Sequence, residues 1–148
     1  MNISKQDTGF RASIGDFINN ISDQNQTILL EPAGIIPYYA KCKVVDVVGL
    51  TSSKIINYHI SNKNDWWLTF IKEESPDFIL DRGAVHNGLS IDGAKSLSNK
   101  ELSWFLNNYV LVRSFVYDEY LNASHSIFTP FYRLGSSTNY YLYRKRFH

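Results

Sequence analysis

The sequence has little cysteine, little net charge and no long apolar run, and each of these absences excludes a class of protein. Its single cysteine, Cys42, allows neither an internal disulfide nor a cysteine-rich structural zinc site. With 15 Lys and Arg against 14 Asp and Glu, the net charge of +1 gives no summed field that would attract nucleic acid. No stretch approaches the roughly 18 consecutive apolar residues of a membrane-spanning helix. We therefore expect stability to come from core packing, and no nucleic acid among the partners.

Motifs for metals, nucleotide cofactors and nucleophilic catalysis are also missing. The four histidines are too scattered to place two metal ligands on one helical face. No glycine-rich phosphate loop of the dinucleotide-binding or P-loop type occurs. Lysines on both sides of Cys42 would favour its thiolate, but lone cysteines are more often structural, and no base can be named beside it. The sequence therefore predicts no metal, no cofactor and no catalytic residue.

The sequence does contain enough apolar material for one packed domain. Hydrophobic residues make up 44% and aromatic residues 15% of the chain, too much for an intrinsically disordered protein. No repeat, low-complexity tract or Pro/Gly/Ser-rich linker divides it. Residues 1–148 are therefore expected to form a single soluble domain.

Apolar spacing and short β-branched runs predict alternating helices and strands. Helices are expected over residues 9–21, 53–60, 65–74 and from 98 onward, with at most a short helix or turn over 33–40. Strands are expected over residues 26–31, 43–48, 77–81, 109–117 and 140–146, and a loop over 82–98. This order predicts an α/β layered sandwich, with a mainly parallel sheet flanked by helices and an antiparallel edge formed by the C-terminal strands.

Two local patterns add detail. Ser98 and Glu101 have the spacing of a capping box, which favours a helix start at this point. Trp66 and Trp67 are adjacent and cannot face one direction on a helix, so we expect one in the core and the other at the surface. Their rings could stack on a sugar, although core packing is the commoner role of such residues.

Polar residues follow the predicted strands at the places where the strands end. Glu31 follows the first apolar run, Asp46 lies in the second, and Thr51 comes shortly after it. Because the carboxyl ends of parallel strands form the ligand crevice of open α/β sheets, we expect these three residues to converge there. Asp81 and Arg82, with His86, come at and after the end of the third strand and could line the same crevice, although pairing of Arg82 with a nearby acid is the commoner arrangement.

A purely structural interpretation of this segment stays open. Gly34 and Gly49 would then allow positive φ or a close backbone approach. Tyr38 and Tyr39 would pack against their neighbours, and Asp46 would cap or pair locally. Residue types alone favour this interpretation over a ligand site.

Three blocks of the sequence nevertheless resemble a known protein region. The blocks E-P-A-G-I-I-P-Y-Y, V-V-D-V-V-G-L-T and S-P-D-F-I-L occur in this order at residues 31–39, 44–51 and 75–80. They are similar to the C-terminal soluble region of bacterial C-type membrane glycosyltransferases, which are related to dolichyl-phosphate-mannose-dependent protein mannosyltransferases and arabinofuranosyltransferases. The likeness covers residues 27–146. The matching positions are Gly34, Pro37, Tyr38, Tyr39, Asp46, Gly49, Leu50, Pro76, Asp77, Tyr141, Tyr143 and Arg144.

The resemblance implies an accessory extracytoplasmic domain of a polyprenyl-phosphate-sugar-dependent membrane glycosyltransferase, which helps to position donor or acceptor and is not itself catalytic. Such a domain would lie on the periplasmic face of a bacterial inner membrane, tethered through transmembrane segments that these 148 residues lack. Its partners would be the membrane-embedded portion of the same polypeptide and a lipid-linked sugar or glycan acceptor. Ser52 stands where the family often has an acidic residue, so no role of that carboxylate carries over. The ligand-binding candidates are Glu31, Gly34, Tyr38, Tyr39, Asp46, Thr51, Asp81 and Arg82.

Other functions remain open at this point. The chain could be a stand-alone ligand-binding or scaffolding α/β domain without catalysis. An independent hydrolase is the weakest alternative, because no set of nucleophile, base and orienting residue can be named. The basic run at residues 144–146 could meet anionic lipid headgroups, but a short basic run at a strand end is more often simply solvated.

Overall fold

The structure, a computed structural model, describes residues 3–31, 34–49, 53–61, 66–82, 85, 97–123 and 139–147. Within these ranges the chain forms six α-helices and five β-strands. The helices are α1 (Ile3–Ile21), α2 (Ile35–Ala40), α3 (Ser53–Ser61), α4 (Trp66–Glu74), α5 (Asn99–Asn108) and α6 (Tyr117–Ala123). The strands are β1 (Thr27–Leu30), β2 (Lys43–Asp46), β3 (Phe78–Asp81), β4 (Tyr109–Phe115) and β5 (Tyr140–Lys145). The predicted loop over 82–98 lies largely outside the described residues.

The strands form one open sheet in the order β2-β1-β3-β5-β4. β1 pairs in parallel with β2 and β3, and β5 pairs antiparallel with β3 and β4. The C-terminal strands thus supply the antiparallel pairs, as expected. However, β5 inserts between β3 and β4 and runs opposite to both, so half of the strand pairs are antiparallel. The α/β class is confirmed, but the sheet is mixed and not mainly parallel.

Helices cover both faces of the sheet because neighbouring residues of each strand point in opposite directions. In β1, Ile28 and Leu30 face a core that is completed by α1, α2 and α6. Leu29 between them faces a second core that is completed by α3, α4 and α5. All three side chains are fully buried. The molecule therefore has three layers, with the sheet in the middle.

A β-bulge in β4 decides which core its two terminal aromatic residues enter. Tyr109 and Phe115 are six positions apart, so a regular strand would place both on one face. The pairing with β5 shifts between Leu111 and Arg113, and this shift reverses the alternation. Tyr109 therefore packs in the core with α5, while Phe115 packs in the core with α1.

Two expectations about local structure were wrong. The predicted strand over 109–117 ends at Phe115, and the chain continues as helix α6, whose first turn contains Asp118 and Glu119. Acidic side chains favour a helix amino terminus, but the aromatic run before them obscured this. Trp66 and Trp67 are both buried, because Trp66 stacks on His59 of α3 while Trp67 packs near Phe105 of α5.

Other local predictions are confirmed. The Ser98 hydroxyl accepts a hydrogen bond from the Glu101 backbone, and the Glu101 carboxylate accepts one from the Ser98 backbone, which completes the capping box of α5. Helix α2 is short, as expected, and packs closely on α1 at Gly15. A Cβ atom at Gly15 would lie 2.6 Å from the Ile36 carbonyl oxygen, so only glycine permits this approach.

Candidate ligand site at the carboxyl edge of the sheet

The site predicted from the sequence lies where the parallel strands end. We call this side of the sheet the carboxyl edge, and the side where β1, β2 and β3 begin the amino edge. From β1 the chain crosses to β2 on one side and afterwards to β3 on the other. The ends of β1 and β3 therefore form a topological switch point, the position at which open α/β sheets bind their ligands.

An ion pair joins the two strand ends at the switch point. Glu31 directly follows β1, and Arg82 directly follows β3. Arg82 Nη2 lies 3.4 Å from Glu31 Oε1, and the two side chains are 29% and 27% exposed. Because both side chains keep part of their surface in water, solvent screens the two charges and the ion pair contributes only modestly to stability.

Asp46, which ends β2, has a structural role in the turn that follows. Its side chain is fully buried, and its Oδ1 atom accepts a hydrogen bond of 3.1 Å from the Val48 backbone. The Gly49 backbone donates a further hydrogen bond to the Asp46 carbonyl oxygen. Gly49 has φ 84°, a conformation that glycine adopts without strain. These contacts support the structural interpretation for Asp46 and Gly49.

Asp81, the last residue of β3, is also buried; it pairs with Tyr141 of β5, and its charge acts on Tyr143 two positions along that strand. The Tyr143 hydroxyl accepts a hydrogen bond of 2.8 Å from the Val85 backbone, just beyond the switch point. Burial raises the pKa of Tyr143 to about 12, and the charge of Asp81 adds a smaller contribution in the same direction. Tyr143 therefore stays protonated and fixes the chain that follows β3.

Tyr140 is a residue of this edge that sequence reasoning missed. It begins β5 and is buried in the core with α1. Burial raises the pKa of the Tyr140 hydroxyl, while the positive charges of Arg11 and Arg82 act in the opposite direction. Tyr140 thus lies within electrostatic reach of the Arg82 side of the ion pair. Its position follows from the antiparallel insertion of β5 beside β3, which the strand pattern alone did not reveal.

Helix α2, which follows the end of β1, carries an exposed aromatic pair. Gly34 caps the start of α2, directly after the segment that follows β1. Tyr38 is 78% and Tyr39 is 36% exposed, and their rings meet edge to face with centroids 5.2 Å apart. The two tyrosines pack against each other at the surface and do not enter the core. Exposed rings of this kind can cover the apolar face of a sugar.

Asp77, which matches the third resemblance block, lies at the amino edge and not in the candidate site. Its Oδ2 atom accepts hydrogen bonds of 2.8 Å from the Thr27 backbone and 3.1 Å from the Thr27 hydroxyl. These contacts join the beginning of β3 to the beginning of β1. The part of the resemblance that includes Asp77 therefore corresponds to a structural element.

The remaining sequence predictions concern Thr51, His86, Cys42, metal binding and membrane-spanning helices. Thr51 and His86 lie outside the described residues, so their convergence with Glu31 stays a prediction. Burial raises the pKa of the half-buried Cys42 thiol, which disfavours the thiolate that a nucleophile needs. The described part of the chain contains no cluster of three or more His, Cys, Asp or Glu residues able to hold a metal ion. None of its helices is long and apolar enough to cross a membrane.

Comparison with known proteins adds one match. Neither the curated proteins nor the solved structures give a match to the chain. One family model, described as a domain of unknown function (DUF8728), matches residues 1–143, from the chain start to within β5. Because this match spans nearly the whole sandwich, the chain belongs to the DUF8728 domain family.

Proposed function

We propose that this chain is a non-catalytic binding domain that holds a sugar at the carboxyl edge. In this proposal it serves as the periplasmic accessory domain of a polyprenyl-phosphate-sugar-dependent membrane glycosyltransferase and positions the donor or the acceptor. The single observation that carries the binding role is the partly exposed ion pair of Glu31 and Arg82 at the switch point. The accessory role rests on the resemblance of the sequence blocks.

The chemistry of the ion pair suits a ligand with several hydroxyl groups. A carboxylate accepts hydrogen bonds, and a guanidinium donates them in a fixed fork, so together they can bind neighbouring hydroxyls of one sugar. An anionic phosphate on the same ligand would also be attracted by Arg82. The weak mutual attraction of the exposed pair favours such an exchange.

The positions of the first two resemblance blocks also support the proposal. Gly34 in the first block begins α2 just beyond the end of β1, and Asp46 in the second ends β2. Both blocks therefore contribute to one edge of the sheet. The exposed rings of Tyr38 and Tyr39 on α2 offer an aromatic surface on the same block.

The binding role is tested by titrating the isotopically labelled chain with mannose 1-phosphate and with a short-chain polyprenyl phosphomannose. We expect shifts of the backbone NMR resonances around Glu31 and Arg82. Glu31→Gln and Arg82→Gln should each weaken binding about tenfold, the equivalent of one charge-assisted hydrogen bond. Asp16→Asn, which changes an exposed carboxylate of α1, is the matched control and should bind like the unaltered chain. Resonance shifts located elsewhere, or equal binding by all variants, would contradict the proposed site.

The accessory role is tested separately from binding. We expect the coding sequence continuous with this chain to include several hydrophobic helices, and the Glu31→Gln change to slow sugar transfer by the complete enzyme. A coding sequence without such helices would leave a stand-alone binding domain as the function. Unchanged sugar transfer by the Glu31→Gln enzyme would instead show that the carboxyl edge takes no part in the reaction.

A further inference from the structure

A cavity of about 300 Å³ lies between α1, α6 and the end of β4, and its lining includes neither residue of the ion pair at the switch point. Its volume is at the lower end of the range found for small-molecule sites. Four of its lining residues are aromatic: Phe10, Phe17, Phe115 and Tyr120.

The aromatic walls are held in place by contacts with one another. The rings of Phe17 and Phe115 meet edge to face with centroids 5.5 Å apart. The rings of Phe10 and Tyr120 lie 5.3 Å apart on the α6 side. Phe10 and Phe115 belong to the buried core, so these walls are part of the folded framework. Such a cavity favours a compact apolar group, because burying that group removes its surface from water.

Two side chains of opposite charge also line the cavity. The Arg113 guanidinium lies over the rings of Phe17 and Phe115, with its central carbon 4.6 and 5.2 Å from their centroids. Glu119 is exposed on the first turn of α6. Among the described residues, neither Arg113 nor Glu119 forms a salt bridge. Contact with aromatic rings uses none of the several N–H donors of a guanidinium as a hydrogen bond, so Arg113 can still bind a carboxylate.

We propose that this cavity binds a free α-amino acid with an aromatic or large aliphatic side chain. The side chain of the ligand lies among the aromatic rings. Its carboxylate pairs with Arg113, and its ammonium group pairs with Glu119. This arrangement satisfies both charges with one small zwitterion, whereas a simple acid would be repelled by Glu119 and a simple amine by Arg113. The site uses none of the residues of the sugar-binding proposal, so either can fail without the other.

The first experiment compares three probes on the unaltered chain by NMR titration: L-phenylalanine, 3-phenylpropionate and phenethylamine. The last two each lack one of the charges of phenylalanine but keep its ring. We expect L-phenylalanine to shift the backbone resonances of residues 113–120 and to bind about tenfold more tightly than either analogue. No shift at these residues with millimolar L-phenylalanine would overturn the proposal, as would equal binding of all three probes.

Three variants then assign the contacts. Arg113→Gln and Glu119→Gln should each weaken L-phenylalanine binding about tenfold, and each should abolish the preference over the analogue that lacks the matching charge. Asp118→Asn, on the neighbouring exposed residue of α6, is the matched control and should leave binding unchanged. Ser13→Leu places an apolar side chain in the cavity from an exposed position of α1 and should block binding while the fold is kept. Full binding by Ser13→Leu, or weaker binding by Asp118→Asn alone, would place the ligand elsewhere.

Discussion

The two edges of the sheet join β1 to β3 in different ways. At the amino edge, Asp77 accepts two hydrogen bonds from Thr27. At the carboxyl edge, Glu31 and Arg82 form a 3.4 Å ion pair. The hydrogen bonds of Asp77 are 2.8 and 3.1 Å long, and the shorter one comes from the backbone N–H group of Thr27 at the start of β1. A buried backbone N–H group needs such an acceptor. The ion pair involves only side-chain atoms, and both side chains are partly exposed to water. A carboxylate can thus have a structural role at one edge while another remains available for binding at the other.

Each edge also has a buried tyrosine near its aspartate. At the amino edge, the Tyr109 hydroxyl donates a hydrogen bond of 3.0 Å to the Pro76 carbonyl oxygen, next to Asp77. Towards the carboxyl edge, the Tyr143 hydroxyl accepts a hydrogen bond from the Val85 backbone, near Asp81. Both tyrosines pack in the core with α5. The two edges are therefore comparable in their buried polar contacts, and they differ in the exposed ion pair.

Raising the pH should have the largest effect, because it acts on both edges at once. Burial raises the pKa of Tyr109 and of Tyr143 to about 12, from the usual value of 10. Between these values the unfolded chain releases the two protons while the folded chain keeps them, so stability is full below pH 10 and is lost as the pH rises towards 12. The expected slope is on the order of 1 kcal/mol per pH unit for each tyrosine, measured by urea unfolding. Tyr109→Phe and Tyr143→Phe should each make the decline shallower, and an unchanged slope in both would refute this account.

Removing the Asp77 carboxylate should have the next largest effect and should be confined to the amino edge. Asp77→Ala leaves the Thr27 backbone and hydroxyl groups without their acceptor, so we expect the free energy of unfolding to fall by about 2–3 kcal/mol. Asp77→Asn keeps an acceptor oxygen and should recover part of this loss. Equilibrium unfolding in urea measures both changes. An Asp77→Ala chain as stable as the unaltered one would show that the two edges do not differ in the way described above.

Much of the fold could be predicted from the sequence because the relevant forces are local. Apolar spacing predicted α4 and residues 9–21 of α1, although α1 begins at Ile3, and the Ser98 and Glu101 pair predicted the start of α5. The insertion of β5 between β3 and β4 could not be predicted in this way, since strand order depends on contacts between distant segments. The bulge near Leu111 is a similar case, because it appears only when β4 is paired with β5.

The candidate site could be predicted in outline but not in its contacts. Parallel strands bring their ends together, so Glu31 and Arg82 were expected at one edge, and a pairing of Arg82 with an acid was favoured. The burial of Asp46 in its turn could not be derived, because it depends on how β2 and the chain after it pack. Tyr140 was missed for a related reason, since it reaches the edge from the far end of the sequence.

Glu31→Gln should have the smallest effect on stability, so it tests whether Glu31 has a structural role. Because the two side chains keep 29% and 27% of their surface in contact with water, loss of the ion pair should lower the free energy of unfolding by about 1 kcal/mol, compared with Asp77→Ala in the same urea experiment. Glutamine at position 31 keeps an oxygen that can accept a hydrogen bond from Arg82. A loss as large as that of Asp77→Ala would mean that Glu31 is a structural residue. The carboxyl edge would then resemble the amino edge, and its ion pair would no longer be available to a ligand.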